Sequence, residues 1–417
     1  MGSRTRPDLI CLGPKDFDHI DGNGNPDPFA PSRFDRLMLE GDSYRQYAFL
    51  PNSGLRVIIE EDSVYCDLER TAAVQRLEHV SQLGIVISEM GYAGGAQHYT
   101  RFYHSLMVAA LMGTILTRRR FPRALVDLGI VSGFLHDAAI PPYSDQGKLA
   151  ALVDMDEERN IGALLQAPDI RALFRKRNLQ RRDILACIRG EYPIIGPLLN
   201  GHDNIDADRI AYVACDSHFL GISDEMKRYR KENLSDIYHN IHLVDGKIAY
   251  RDAERVRDFL FLRALLFHDF YCGPETRGRE ALMKQALAAL WQQKILDRKK
   301  LLAMTDSDLE KLAQQHLPPT ICNHLFLLGF SEVDEVAQIR DRGVDKVRAQ
   351  FPKPAYLVEE QRAFKPLTGT QISTRRGFRP FRKVNPSAAK ELEELAMDCA
   401  YVGVYAVPRE VQEALPR

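Results

Sequence analysis

The segment that decides the fold reads GFLHDAAIPPYSD and covers residues Gly133–Asp145. It starts as an apolar run, places His136 beside Asp137 and then reaches Pro141 and Pro142. Proline cannot continue a helix, so the helix must end close to the His-Asp pair. Adjacent residues of an ideal helix point well apart, and both reach one ion most easily near a helix end. The segment therefore predicts a helix end that presents a histidine and an aspartate together.

Helical periodicity dominates the chain on both sides of this segment. An apolar stripe at three- and four-residue spacing predicts amphipathic helices from Thr71 to about Leu302. The stretches with this pattern are RTAAVQRLEHVSQLG, RFYHSLMVAALMGTILTRRRF, ALVDLGIVSGFLHDA, IDADRIAYVACDSHFL and REALMKQALAALWQQKIL. Gly84 is predicted to end the first of them, as glycine commonly does. These stretches predict a mainly α fold.

The two ends of the chain do not share this dominant helical pattern. Residues 1–55 are predicted to form an irregular arm, and LRVIIEEDSVYCDL, at residues 55–68, a short hairpin. Residues 56–302 form the predicted helical core and residues 303–417 a C-terminal α/β appendage. In the appendage, DSDLEKLAQQHL predicts a helix, whereas HLFLLGF, AYLVEE and YVGVYAV predict strands.

Composition excludes some classes of protein and favours others. Lys plus Arg number 56 and Asp plus Glu 57, so no global positive field draws in nucleic acid. The seven cysteines include no C-x-x-C pair, which is typical of a protein in a reducing compartment. No apolar run reaches the roughly 18 residues needed to span a bilayer. We therefore expect a cytoplasmic protein with no membrane contact.

Four residues are candidate ligands of one divalent metal ion: His104, His136, Asp137 and Asp208. Imidazole and carboxylate together suit Mn, Fe, Mg, Ni or Zn without distinguishing among them. The absence of cysteine favours a catalytic site with open positions over a closed structural one. Taken singly, each residue is more often structural than a ligand. The metal-site prediction therefore depends on the surrounding sequence.

Five phrases in order supply that context. They are VQRLEHVSQLG, TRFYHSLMVA, GFLHDAAIPPYSD, NIDADRIAYVACDSHFLGI and RALLFHDFYCGPETRGREALM. Between about Val57 and Met304 the chain resembles the HD-domain phosphohydrolases, specifically the dNTP triphosphohydrolase branch with the bacterial dGTPases and the human SAM-and-HD-domain enzyme. The resemblance implies that the mainly α helical core is an HD domain. The smaller C-terminal α/β appendage and the short N-terminal hairpin predicted above complete the expected fold. It also implies a homo-oligomer.

The resemblance implies roles for individual residues. The family's metal ligands match His104, His136, Asp137 and Asp208. Its sugar-contacting positions match Gln82, Tyr212 and Asp216. Its phosphate-gripping positions match Arg101, Arg209 and, more loosely, Arg277. Two alternatives stay open: Tyr212 as a core residue, and Arg209 as a helix charge paired with neighbouring aspartates.

The chain departs from the family where proton transfer is expected. Ile140 and Asp145 stand where the family has two histidines, and Gly273 replaces a later one. A further His-Glu pair of the family falls near DMDEERN, which offers only carboxylates. One interpretation gives the acid/base role to Asp145, or to one of Glu157 and Glu158, beside a metal-activated water. The other is a catalytically silent sensor that binds metal and nucleotide.

The expected function is metal-dependent hydrolysis of a nucleotide, with a dNTP as substrate and triphosphate and deoxynucleoside as products. A nucleotide phosphatase and an HD-type nuclease are the alternative enzymes. The nuclease would use the basic clusters at residues 118–120, 175–182 and 373–383, of which the last interleaves Phe378 and Phe381 with arginines. A solvated basic face is the competing interpretation of those clusters.

Overall fold

The structure is a computed structural model of the 417-residue chain. It describes residues 9–12, 44–50, 55–60, 63–86, 99–150, 155, 157–220, 226, 229, 236–244, 247–327, 335–340, 344–352 and 355–414. The predicted irregular arm therefore lies largely outside the described residues.

Helices make up most of the described chain, which confirms the mainly α fold class with a small α/β part. In chain order they are α1 (Val64–Glu69), α2 (Ala72–Leu77), α3 (Arg101–Arg118), α4 (Arg123–Leu135), α5 (Ser144–Ala150), α6 (Glu157–Leu164), α7 (Pro168–Lys176), α8 (Arg181–Ile188), α9 (Ile195–Leu199), α10 (Ala207–Phe219), α11 (Asp236–His239), α12 (Ala253–Leu266), α13 (Pro274–Gln292), α14 (Arg298–Ala303), α15 (Asp306–His316), α16 (Pro319–Cys322), α17 (Val344–Gln350), α18 (Phe381–Val384), α19 (Pro386–Asp398) and α20 (Arg409–Ala414). Two π-helical turns, Phe267–Tyr271 and Asn323–Leu327, follow α12 and α16. Among the described helices, none combines the length and the apolarity that crossing a membrane requires.

Helices α3 and α4 pack closely at the centre of the body. Thr100 caps α3 by accepting a hydrogen bond from the backbone N–H of Tyr103. A Cβ added to Gly133 of α4 would lie 3.2 Å from the Cα of Ala109 in α3. A Cβ at this distance would be crowded, so glycine favours the close approach of the C-terminal end of α4 to α3.

Ten described strands form three small sheets. They are β1 (Leu9–Leu12), β2 (Tyr44–Leu50), β3 (Leu55–Glu60), β4 (Ile241–Val244), β5 (Lys247–Tyr250), β6 (Glu335–Ile339), β7 (Tyr356–Gln361), β8 (Gln371–Thr374), β9 (Gly377–Pro380) and β10 (Tyr401–Ala406). Their orders are β1-β3-β2, β6-β10-β7 and β4-β5-β8-β9. All pairings are antiparallel except that of β5 with β8.

Residues on both sides of position 302 share hydrophobic cores. Phe364, Ile372 and Leu392 belong to the same buried cluster as the central helices. Leu287 of α13 and Tyr405 of β10 belong to a second cluster. The C-terminal segments thus pack directly against the helical body, and the division of the chain into domains stays a prediction.

Three local predictions were wrong. The second half of the expected hairpin is helix α1, which starts because the side chain of Ser63 accepts the N–H of Cys66, and the hairpin is formed by β2 and β3. The first predicted helix ends at Leu77, well before Gly84, because the chain then pairs through Ser81 with Thr100. HLFLLGF was predicted as a strand, but residues Asn323–Leu327 form a π-helical turn. The strands predicted in AYLVEE and YVGVYAV and the helix in DSDLEKLAQQHL are confirmed.

The arm prediction also needs correction in part. Residues Leu9–Leu12 and Tyr44–Leu50 lie inside the segment predicted to be irregular, yet both are strands. They pair with the two edges of β3, whose β-branched sequence favours an extended backbone.

Candidate metal centre and adjoining cavity

Three helices bring the four predicted metal ligands together. His104 lies in the first turn of α3, His136 and Asp137 directly follow α4, and Asp208 lies in the first turn of α10. The Nε2 atom of His104 is 3.0 Å from Oδ1 of Asp208 and 3.6 Å from Oδ2 of Asp137. Nε2 of His136 is 3.4 Å from Oδ1 of Asp137 and 3.6 Å from Oδ1 of Asp208. Residues more than 100 positions apart thus form one compact cluster.

Hydrogen bonds fix the orientation of His136. Its Nδ1 lies 2.8 Å from the carbonyl oxygen of Gly133, which assigns the ring proton to Nδ1 and leaves Nε2 as the free donor atom. Burial disfavours the charged ring, but the carboxylates of Asp137 and Asp208 outweigh it and raise the pKa of His136 to about 9. A proton and a cation therefore compete for the same nitrogen.

Arg101 stabilises the cluster through side-chain hydrogen bonds. Its buried guanidinium donates to Oδ2 of Asp137 at 2.5 Å, to Oδ2 of Asp145 at 2.8 Å and to Oγ of Ser144 at 2.8 Å. Ser144 in turn donates to the carbonyl oxygen of Ser81. Arg101 therefore holds Asp137 in place and links it to the helix start that carries Asp145.

The donor set fits a divalent cation. His104, His136 and Asp137 each present a ligand atom within 4.8 Å of the others. Among the described residues, both ring nitrogens of His104 and Nε2 of His136 are buried and make no hydrogen bond of good geometry, although each Nε2 lies 3.0–3.6 Å from carboxylate oxygens of Asp137 and Asp208. Buried polar atoms are normally satisfied, so these nitrogens are suited to binding a metal ion. A nitrogen and oxygen set without cysteine suits a borderline or hard cation.

A cavity of about 380 Å³ opens beside the cluster. Its walls include eight of the predicted site residues: Gln82, Arg101, Asp137, Asp145, Asp208, Tyr212, Asp216 and Arg277. The volume is within the range of small-molecule sites, roughly 300–1,000 Å³.

Asp216 is the buried acceptor at the inner part of this cavity. The hydroxyls of Tyr99 and Tyr271 both donate to its carboxylate. Burial raises the pKa of Asp216 to about 6, against the lowering effect of these two hydrogen bonds. The ring of Tyr271 also lines the cavity and packs edge-on against Phe267, 4.9 Å between centroids.

Several cavity residues were missed by the sequence analysis. Tyr99, Lys148, Arg263, Phe267, Tyr271 and Gln361 all contact the cavity or one of its lining residues. Tyr271 lies inside a quoted phrase and was therefore accessible as a candidate. Arg263, which donates to the hydroxyl of Tyr212 at 2.6 Å, is the first residue of the same segment and was equally accessible.

The structure does not bring every predicted residue to the cavity. The guanidinium of Arg209 donates to Asp206 and to the carbonyl oxygens of Gly201 and Asn204, so it is used within its own loop. This matches the alternative of a helix charge paired with a neighbouring aspartate. Glu157 begins α6, and its side chain lies outside the described residues.

Asp145 and Arg277 line the cavity with their charges already paired. Asp145 is ion-paired with Arg101, yet 58% of its side chain is exposed. Arg277 is paired with Glu280, while its Nε is buried without a hydrogen-bond partner among the described residues. Asp145 is therefore accessible to a bound molecule and to solvent.

The chain resembles proteins whose own roles are not described. No family model matches it. It is 24% identical over 240 residues to uncharacterized protein YwfO of Bacillus subtilis, covering 56% of this chain and 53% of that protein. It is 24% identical over 277 residues to uncharacterized protein MJ1154 of Methanocaldococcus jannaschii, covering 64% and 52%. The chain thus spans about half the length of these relatives.

Solved structures share the fold over almost the whole chain. A hypothetical protein from Aquifex aeolicus matches with a TM-score of 0.66 and 17% identity, covering 89% of this chain and 98% of that one. A phosphohydrolase from Bacteroides thetaiotaomicron, BT4208, matches with a TM-score of 0.66 and 17% identity, covering 87% and 100%. At this level of identity the likeness establishes a common fold.

Proposed function

We propose that the chain is a metal-dependent phosphohydrolase of the HD-domain kind that acts on nucleotides. The observation that carries the proposal is the largely buried group of His104, His136 and Asp137, which lies against the carboxylate of Asp208 beside the cavity. The fold likeness to a phosphohydrolase supports it.

His104, His136, Asp137 and Asp208 would hold the ion. A divalent cation supplies a Lewis acid that polarises a phosphoryl oxygen and makes water more acidic. The protein's own part is to fix the ligands: the carbonyl of Gly133 orients His136, and Arg101 orients Asp137. Such supporting hydrogen bonds set the geometry that the ion requires.

The cavity suits a nucleoside next to the phosphate. Tyr212, Phe267 and Tyr271 provide aromatic walls, and the carboxylate of Asp216 is an acceptor for a sugar hydroxyl. The side-chain oxygen of Gln82 is buried without a hydrogen-bond partner among the described residues, so it can accept from a second hydroxyl. These features support a nucleotide, and we take a dNTP as the first candidate.

Asp145 is the proposed proton-transfer group. It lines the cavity, its side chain is exposed, and Arg101 connects it to the metal ligand Asp137. Protonated, it can donate to a leaving oxygen, and as a carboxylate it can accept a proton from water. Replacing Asp145 with Asn is expected to lower kcat by about 100-fold or more with little change in KM.

A product analysis tests the function. The full chain, loaded separately with Mn, Mg, Fe or Co, is incubated with dNTPs, NTPs, dNMPs and a single-stranded oligonucleotide, and the products are separated by chromatography. His136→Ala serves as the inactive control, and His202→Ala, an exposed histidine outside the cluster, as the matched one.

The products distinguish the candidates. Triphosphate and deoxynucleoside, lost in His136→Ala and kept in His202→Ala, support the dNTP triphosphohydrolase. Shortened oligonucleotides support the nuclease. No product with any metal, while nucleotide still binds, overturns the enzyme and leaves the silent sensor.

A nucleotide monophosphatase is the second candidate, and one observation favours it. Two of the arginines expected to bind a triphosphate already form ion pairs within the protein. Arg101 pairs with Asp137, and Arg209 pairs with Asp206. A substrate with fewer phosphates needs fewer cations. Orthophosphate from dNMPs and none from dNTPs would establish this candidate instead.

A further inference from the structure

The sheet β4-β5-β8-β9 has one face in the core and one face that is partly exposed to solvent. Ile241, Tyr250 and Ile372 lie on the inner face and are buried in the main cluster. His242 and Ser373 alternate with them and lie on the outer face, as strand geometry requires.

The outer face joins two basic clusters that are far apart in the sequence. His242 Nδ1 lies 2.9 Å from Oγ of Ser373, and its ring lies edge-on to Phe378 at 6.1 Å between centroids. Arg119, from the end of α3, donates to the carbonyl oxygen of Ile241. The cluster at residues 118–120 therefore meets the cluster at residues 373–383 across this sheet.

Positive charge accumulates there among the residues that the structure describes. Arg119 and Arg251 are near His242, while Arg375 and Arg376 are exposed in the turn between β8 and β9. Burial together with Arg251 lowers the pKa of Arg119, and burial together with Arg251 and Arg119 lowers the pKa of His242. Among the described residues, none of the four arginines forms an ion pair with a carboxylate. Repulsion of this kind is relieved by a bound anion.

The ligand chemistry follows from the extent of the face and from its aromatic ring. Four strands spaced about 4.8 Å apart make a face roughly 14 Å wide, broader than a single phosphate needs. Arginines bind backbone phosphates, and the partly exposed ring of Phe378 offers a stacking surface to a base. None of these residues lines the cavity of the metal centre.

We propose that this face, formed by Arg119, His242, Arg251, Arg376 and Phe378, binds single-stranded nucleic acid. The arginines contact successive phosphates, and one base stacks on Phe378. The site is separate from the proposed hydrolytic centre and does not depend on its activity.

The test measures binding to the full chain by fluorescence anisotropy. The probe is a labelled oligothymidylate of about 12 nucleotides, titrated at several salt concentrations from about 50 to 200 mM. The test variant is Arg251→Glu with Arg376→Glu. The matched control is Lys299→Glu with Lys346→Glu, which makes the same charge change at exposed lysines of α14 and α17. Phe378→Leu tests the stacking contact.

The expected result has three parts. The arginine variant binds at least about tenfold more weakly than the control, and its slope of log K against log salt falls by about 1.4, as two lost phosphate contacts require. Phe378→Leu weakens binding by at least about fivefold with an unchanged slope. All variants keep the nucleotide-hydrolysing activity of the parent chain.

Three results would overturn the proposal. The wild-type chain fails to bind the oligonucleotide even at the lowest salt, or the lysine control weakens binding as much as the arginine variant. The proposal would also be rejected if duplex DNA bound as tightly as the single strand and Phe378→Leu left binding unchanged. That result would indicate general attraction of polyanions.

Discussion

Replacing Arg101 with Met removes the cation that supports the buried carboxylate of Asp137, a proposed metal ligand. Arg101 is 4% exposed and Asp137 is 5% exposed, so neither charge is well screened by water. Leaving one partner of a buried pair unpaired costs about 3–5 kcal/mol. We expect the metal-free Arg101→Met protein to lose free energy of unfolding at the lower end of that range, because His136 also faces Asp137.

The contributions of Arg101 can be separated. Its contact with Asp145 is to a side chain that is 58% exposed, so Asp145→Asn should cost less than about 1 kcal/mol. Arg123→Met is the surface control, since it breaks an exposed pair with Asp127 one turn away and should cost under about 0.5 kcal/mol.

Urea unfolding of the metal-free proteins, followed by circular dichroism, measures these differences through the midpoint and slope. A loss for Arg101→Met below about 1 kcal/mol, indistinguishable from that of Asp145→Asn, would refute the reasoning. It would mean that the histidines alone neutralise Asp137.

Three further predictions concern the metal, a buried acid and helix packing. His104→Ala should weaken Mn²⁺ binding, measured by calorimetry, far more than about tenfold, whereas His202→Ala should leave it unchanged. Asp216 has a folded-state pKa of about 6, above its ordinary value of 3.8, so it contributes stability at low pH that is lost as pH rises through about 6. The wild-type chain should therefore lose about 3 kcal/mol relative to Asp216→Asn between about pH 4 and 7, and parallel stability curves for the two proteins would contradict this. Gly133→Ala should lower the free energy of unfolding by about 1–3 kcal/mol, because the new Cβ would press on the backbone of Ala109, and an unchanged urea midpoint would show that α3 and α4 can separate freely.

The candidate metal site shows what could be predicted from the sequence. His136 and Asp137 were expected near a helix end, and the structure places them directly after α4. That expectation depended on local chemistry, an apolar run followed by two prolines. The identity of the partners depended on a resemblance of phrases, and the structure brings all four side chains together.

The arginines show a limit of prediction from the sequence. Arg101 and Arg209 were both expected to grip phosphates, yet each donates to acceptors of the protein itself. The same residue type can contact a ligand or a neighbouring loop, and the choice depends on which acceptors the folded chain places within reach.

Local periodicity and helix-breaking residues by themselves determined the mainly α class, the principal helices and the position of His136 and Asp137 near a helix end. These are properties of short segments, in which each residue interacts with neighbours three or four positions away. Only the tertiary structure decided that Tyr99 and Tyr271 hold Asp216, and that β8 and β9 join β4 and β5 beneath one basic face. These arrangements join residues about 50 to 130 positions apart. Packing and competition for hydrogen bonds across the whole chain select such contacts, and no local pattern encodes them.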